Sequence, residues 1–268
     1  MIAWLWARTA TCPNPACGAT MPLVRNFALS SRVGRERWVE SIVTAGATRV
    51  TFLVREGADK PPEPTKVGRG ARFRCLFCGQ TAEDWYIKSE GCAGRMGVQL
   101  MAIVAQGGHG RIYLDPSDEH SQVALEPHPT WGPDSVMPTN ARWFGSPALG
   151  MTKFRDLFTG RQLFALSTFA DYVTEARVRA ISDGADPEYA DALAIYLAFA
   201  VDKMADRNTM LCGWEVKMDR MRNTFGRQAL PMVWDFAETN RSLFTTARSA
   251  SRGATASSTD LKRIASAM

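Results

Sequence analysis

Residues 11–23 read TCPNPACGATMPL, and this stretch decides what kind of chain this is. Cys12 and Cys17 are separated by four residues that include Pro13 and Pro15, and Gly18 follows directly. A second pair stands in RCLFCGQ, residues 74–80, where Cys75 and Cys78 are two residues apart and Gly79 follows. A Cys-x2-4-Cys turn that ends in glycine aims backbone N–H groups at the sulfurs, and the glycine tolerates the left-handed backbone the turn needs. Two such knuckles supply four thiolates, the closed tetrahedral set of structural zinc. The expectation is a zinc ribbon with Cys12, Cys17, Cys75 and Cys78 as ligands. The 57 residues between the pairs contain strands able to return the chain to the first knuckle. Two other uses of four cysteines stay open: two local disulfides, or a redox Cys-x-x-Cys at Cys75 and Cys78. A structural metal predicts that a chelator unfolds residues 10–90.

Outward from the knuckles, residues 1–90 read as β-rich. ERWVESIV and TRVTFLVRE are strand-like runs split by the turn TAGA, and GADKPPEPTKVGRG is a proline-broken loop. Two short strands are expected around the second pair. RMGVQLMAIVAQ, residues 95–106, reads as a buried helix closed by Gly107 and Gly108, followed by a strand at RIYL. Residues 115–150 carry six prolines and read as a long loop. Leu163, Leu166, Phe169, Val173 and Ala176 recur at helical spacing. Asp186 and Pro187 announce the next helix, whose stripe of Tyr189, Leu193, Tyr196, Leu197, Ala200 and Met204 reads as core. A third helix is expected from Pro231. The organisation is therefore 1–94 zinc-ribbon β-rich region, 95–150 helix, strand and loop, 151–240 helical region, and 241–268 a disordered, basic, Ser/Ala-rich tail. The fold class is α+β.

The 268 residues are 46% hydrophobic and 22% charged, values that support a packed core and argue against wholesale disorder. No run approaches the 18 apolar residues of a membrane span, the opening MIAWLWA is too short for a signal peptide and lacks a basic n-region, and a cytoplasmic location is the default expectation. Charge is uneven. Residues 1–95 carry 14 Lys/Arg against 8 Asp/Glu, residues 96–240 carry 13 against 18, and residues 241–268 carry 5 against 1. A basic cysteine-bearing part on an acidic body suits a nucleic-acid-facing module, and an ordinary solvated surface produces the same layout. Arg25, Arg32, Arg35, Arg37, Arg69, Arg72 and Arg74 are the candidate DNA contacts; their other reading is solubilisation of a ribbon edge. Cys92 and Cys212 lack paired spacing, and His109, His120 and His128 read as surface residues. Gly91, Gly94 and Gly97 in EGCAGRMG match neither G-x-G-x-x-G nor Walker A, and a tight entry into the expected helix explains them. No nucleophile–base pattern stands out.

Several stretches together carry a family resemblance: WARTATCPNPACGATMPLVRNFALS, GCAGRMG, DLFTGRQLFALSTFADYV, YADALAIYLAFAVDKMADRNTMLCGW and NTFGRQALPMVWDFAETN. They are similar, in the same order and over residues 4–240, to bacterial adenine-specific DNA methylases that contain an internal zinc ribbon. The resemblance places Cys12, Cys17, Cys75 and Cys78 at the family's ribbon positions. It implies a fragment of a larger Rossmann-type methyltransferase that transfers methyl from S-adenosylmethionine to adenine N6. The family's glycine-rich cofactor motif lies upstream of the ribbon, and its catalytic Asp-Pro-Pro-Tyr lies downstream of ALPMVWDFAE. Neither is found here: Asp115-Pro116 continues into Ser117 and Asp186-Pro187 into Glu188. The chain is thus expected to be the central portion, bound to zinc, contacting DNA and inactive alone. The alternatives are one piece of a split methylase completed by partner chains, or a stand-alone module that binds DNA or protein.

Overall fold

The computed structural model of the chain describes residues 1–124, 129–140 and 142–240; His128 and the basic tail lie outside the described residues. The strands are β1 (Ala3–Thr11), β2 (Thr20–Leu23), β3 (Ala28–Ser30), β4 (Arg37–Ile42), β5 (Thr51–Glu56), β6 (Phe73–Arg74), β7 (Thr81–Ala82), β8 (Gly97–Gly107), β9 (Gly110–Leu114), β10 (Trp214–Glu215), β11 (Arg220–Met221) and β12 (Asp235–Thr239). The helices are α1 (Asp84–Cys92), α2 (Asp118–Val123), α3 (Gly160–Ser182) and α4 (Pro187–Ala205). All named pairings are antiparallel, so the fold is a mixture of helices and antiparallel sheets, as an α+β class requires.

The main sheet runs β12-β1-β8-β9, with β2 also on β1. β1 alternates cleanly. Ala3, Leu5 and Ala7 join one core with Phe27, Val39, Phe52 and Ala237, while Trp4 and Trp6 face a second with Leu100, Ile103 and Phe236. Both faces are covered, which is why the sheet's strands are apolar on both sides.

Two segments expected to be helical are strands in this sheet. Residues 97–107 form β8, between β1 and β9. The pairing slips between Leu5 and Trp6, where Ala102 and Leu100 are the partners and Met101 is extra. Such a bulge changes which face each later residue meets. Val98 and Leu100 point to the Trp6 core, whereas Ala102 and Val104 point to the Phe27 core. The alternation that would have marked a strand is thereby erased. The segment after Pro231 is likewise β12, paired with Ala3–Ala7; its partner lies at the other end of the sequence.

α1 follows the second cysteine pair inside the region read as β-rich. The glycines of GCAGRMG therefore end a helix rather than begin one. Gly91 lies so close to the 3-10 turn at Pro147–Leu149 that a Cβ would sit 2.5 Å from the Leu149 carbonyl oxygen. Gly94 takes φ +67° just beyond the helix, as a helix terminus favours.

α3 and α4 form a hairpin with the expected start signals. Thr159 accepts from the Gln162 amide at 3.2 Å and donates its own amide to Gln162 Oε1 at 2.9 Å, and Asp186 accepts from the Glu188 amide at 2.8 Å. Leu163 and Leu166 are buried, but α4 buries only Ala190. Tyr189, Ile195, Tyr196 and Phe199 are exposed, which corrects the reading of that stripe as core. At its base the hairpin is held by Arg161, which ion-pairs with buried Glu238 on β12 and lies 4.7 Å from the centre of the Trp6 ring. No described helix is long and apolar enough to cross a membrane.

Candidate metal centre and its surroundings

The four paired cysteines meet. Cys12 and Cys17 occupy the turn between β1 and β2, and Cys75 and Cys78 the turn between β6 and β7. Cys12 Sγ lies 3.6 Å from Cys78 Sγ, Cys17 Sγ lies 3.9 Å from Cys75 Sγ, and all four sulfurs fall within 4.8 Å of one another. A tetrahedral ion with metal–sulfur bonds of about 2.3 Å holds its ligands about 3.8 Å apart, so the two closest contacts fit that geometry. They are far longer than a disulfide's S–S bond of about 2.05 Å, and every cysteine is a free thiol. The donor set could therefore hold one metal ion.

The local sequence explains the cup. Gly18 and Gly79 take φ +56° and +75°, the left-handed turn anticipated from their place after each pair. The Gly18 amide donates to the Asn14 carbonyl at 3.0 Å and the Gly79 amide to the Cys75 carbonyl at 3.0 Å, closing two equivalent turns. Burial pushes the Cys12 and Cys75 thiols up, opposed by the Asn14 backbone amide at Cys12 and by those of Cys78 and Phe77 at Cys75. At exposed Cys78 the Gln80 backbone amide dominates and pulls the thiol down to about 7. Amides aimed at sulfur favour thiolate, the form that binds metal. Beneath the knuckles Phe73 and Trp234 meet edge to face at 4.8 Å, within a cluster that includes Met21, Leu23 and Ile87. Tyr86 of α1 donates to the Thr11 carbonyl at 3.0 Å, tying the helix to the first knuckle.

The other cysteines stand apart. Cys212 is fully buried, bonded to Thr209 and Thr224, and Cys92 is exposed on α1. His120 accepts from the Trp4 indole at 3.2 Å.

The seven candidate arginines are dispersed. Arg72 and Arg74 flank the second knuckle, paired with Glu83 at 2.8 Å and Glu63 at 3.3 Å, and Arg69 is exposed in the preceding loop. Arg25 lines a cavity of about 630 Å³ together with Trp214, Arg222, Arg227 and Asp235. There the Asp235 carboxylate accepts from the Arg25 backbone amide at 3.1 Å, and burial pushes its pKa up to about 7. Arg32, Arg35 and Arg37 line a different cavity, of about 700 Å³, with His109, Arg111 and Asp219. Arg111, Asp219 and Asp235 were not singled out from the sequence. Only the Gly-Gly-His-Gly run before Arg111 hints at the turn that presents it.

No protein-family model matches the chain, and comparison with curated proteins and with solved structures also finds no match.

Proposed function

We propose that the chain is a zinc-ribbon-bearing segment of an adenine-specific DNA methylase, one that contributes DNA contact while the cofactor and Asp-Pro-Pro-Tyr motifs come from other parts or from partner chains. The observation that carries the reading is the four-cysteine cluster at two hairpin turns, whose cross-pair sulfur separations suit tetrahedral thiolate ligation. The ordered resemblance of residues 4–240 to that family supports the choice of class. Zinc suits the site because four thiolates in a closed shell favour a soft-tolerant ion without redox chemistry. Its part is structural: it clamps the β6–β7 hairpin to the end of β1. Methyl transfer to adenine needs the base turned out against a bound cofactor, and the motifs that do this in the family do not occur in this chain.

Three measurements test the reading. Metal analysis of the purified chain should find one zinc, lost when Cys75 and Cys78 are both replaced by Ser. Binding to duplex DNA should weaken as salt rises, and Arg72→Ala with Arg74→Ala should weaken it further. Labelled S-adenosylmethionine should yield no methylated DNA with this chain alone. Zinc-free protein of unchanged structure, salt-independent DNA binding, or methyl transfer by the lone chain would each refute the corresponding part.

A further inference from the structure

The cavity lined by Arg32, Arg35, Arg37 and Arg111 sits away from the cysteines, where three turns converge. These are the loop between β3 and β4, the β8–β9 turn at Gly107–Gly110, and the β10–β11 turn that brings Asp219. Its arginines fall into two sorts. Arg32 pairs with Asp219 at 2.8 Å and donates to the Met218 carbonyl at 3.1 Å, and Arg37 pairs with Glu56 at 2.7 Å. Arg35 and Arg111 form no ion pair among the described residues. Both are nonetheless held in place. Arg35 donates to the His109 carbonyl at 3.2 Å and presses on the turn where Gly110, at φ +127°, has no side chain; a Cβ there would meet Arg35 Nη1 at 3.0 Å. The Arg111 guanidinium stands 5.6 Å from the centre of the Trp214 ring, and the Trp214 indole is anchored to the Leu29 carbonyl at 2.7 Å.

We infer that this cavity is a phosphate-binding site, with Arg35 and Arg111 as the direct ligands. Two guanidinium forks fixed on separate hairpins and without carboxylate partners among the described residues match the several oxygens of a tetrahedral oxyanion, which each fork can take in bidentate fashion. The ion pairs of Arg32 and Arg37 leave a net positive rim, and a volume of about 700 Å³ admits a nucleotide-sized group. The phosphate is either a phosphodiester of nucleic acid or that of a free nucleotide. In the first case the site deepens the DNA reading and rests on it; in the second it stands without it.

The test titrates the full chain with pyrophosphate and, separately, with duplex DNA across a salt series. The proteins compared are wild type, Arg35→Ala, the Arg35→Ala/Arg111→Ala double variant, and Arg72→Ala/Arg74→Ala as a control remote from the cavity. The double variant should bind pyrophosphate about tenfold more weakly or worse, with its zinc content and circular dichroism unchanged and the control binding as wild type. The single variant, which leaves the Trp214 contact alone, should fall between. No pyrophosphate binding by wild type, or equal binding by the double variant, overturns the site. If the salt slope for DNA also falls by about 2 in the double variant, the ligand is a phosphodiester. If pyrophosphate binding is lost but the DNA slope is unchanged, the site holds for a free phosphate. If wild type binds pyrophosphate but no DNA, the proposed function falls and the site remains.

Discussion

Removing one cysteine should separate the metal centre from the sheet that carries it. A structural zinc site in a small peptide contributes roughly 10–16 kcal/mol at neutral pH, so one thiolate in four stands for about 2.5–4 kcal/mol. At about 1.4 kcal/mol per decade that is between about 2 and 3 decades of zinc affinity. Cys75→Ala removes a ligand and also a buried sulfur in the Phe73 cluster. Cys78→Ala removes a ligand that is exposed, so it should lose comparable affinity with less loss of stability. Competition against a chromophoric chelator measures the first quantity and urea denaturation the second. Hydrogen exchange then reads the extent of the damage. The knuckle amides of Cys12, Gly18, Cys75 and Gly79, each bonded within its own turn at 2.8–3.0 Å, should lose protection. Leu5 and Ala102 are paired in the middle of the main sheet, the Ala237 amide donates to the Cys212 carbonyl at 2.7 Å, and all three should keep theirs. Because β1 is also held by β2, β8 and β12, the unfolding expected within residues 10–90 on metal loss should be greatest at the knuckles. Affinity within about tenfold of wild type in both variants, or unchanged exchange at the four knuckle amides, would refute the metal site.

The remaining predictions concern the scaffold. Arg161→Met leaves the Glu238 carboxylate buried without its bidentate partner and should cost about 3–5 kcal/mol in urea denaturation, much of it recovered when Glu238→Leu is added. Asp235 carries a folded-state pKa raised by burial to about 7 against about 3.9 unfolded. The folded state therefore binds the extra proton, and its stabilisation is full below about pH 4 and lost as pH rises through about 7. Asp235→Asn should flatten that part of the stability profile, and an unaltered profile would show that another group sets it. Tyr196→Ser, on the exposed side of α4, should change stability by less than about 0.5 kcal/mol; unfolding of that variant would restore the core reading.

How much of this was legible in the sequence follows from how local each signal is. The cysteine pairs, their trailing glycines, the β4–β5 hairpin and the Asp186-Pro187 helix start all depend on residues within one turn of each other, and they appear as expected. The errors come from long-range pairing. RMGVQLMAIVAQ is apolar throughout because β8 is covered on both faces, and the bulge at Met101 breaks its two-residue period. A short apolar run of that kind cannot be assigned by periodicity, although Val98, Ile103 and Val104 lean toward strand. VWDFAE pairs with residues near the N-terminus, and Pro231 gave a false helix start. The α4 stripe is truly amphipathic; what its sequence lacks is any mark of whether a partner element exists to cover it. The cavity of Arg35 and Arg111 was hidden for the same reason, since its walls come from three hairpins far apart in the chain.

The sheet also sets how the two basic regions relate. β1 and β8 are antiparallel, with Thr9 opposite Gly97 and Ala3 opposite Val104. The metal knuckle thus lies beyond one end of β8, next to Gly97. The Arg35 and Arg111 cavity lies at the other end, around the Gly107–Gly110 turn. An 11-residue strand at about 3.3 Å per residue spans roughly 30 Å or more. That is beyond a Debye length of about 8 Å at physiological salt, so Arg72 and Arg74 cannot share a phosphate with Arg35 and Arg111 or repel them appreciably. The seven arginines read from sequence as one ribbon-flanking patch are therefore at least two independent charge centres. Independent centres contribute additively to a salt slope. The same spacing is about the rise of 9 or 10 base pairs at about 3.4 Å each, so on the proposed DNA reading a duplex shorter than that can engage only one centre, as a mononucleotide would.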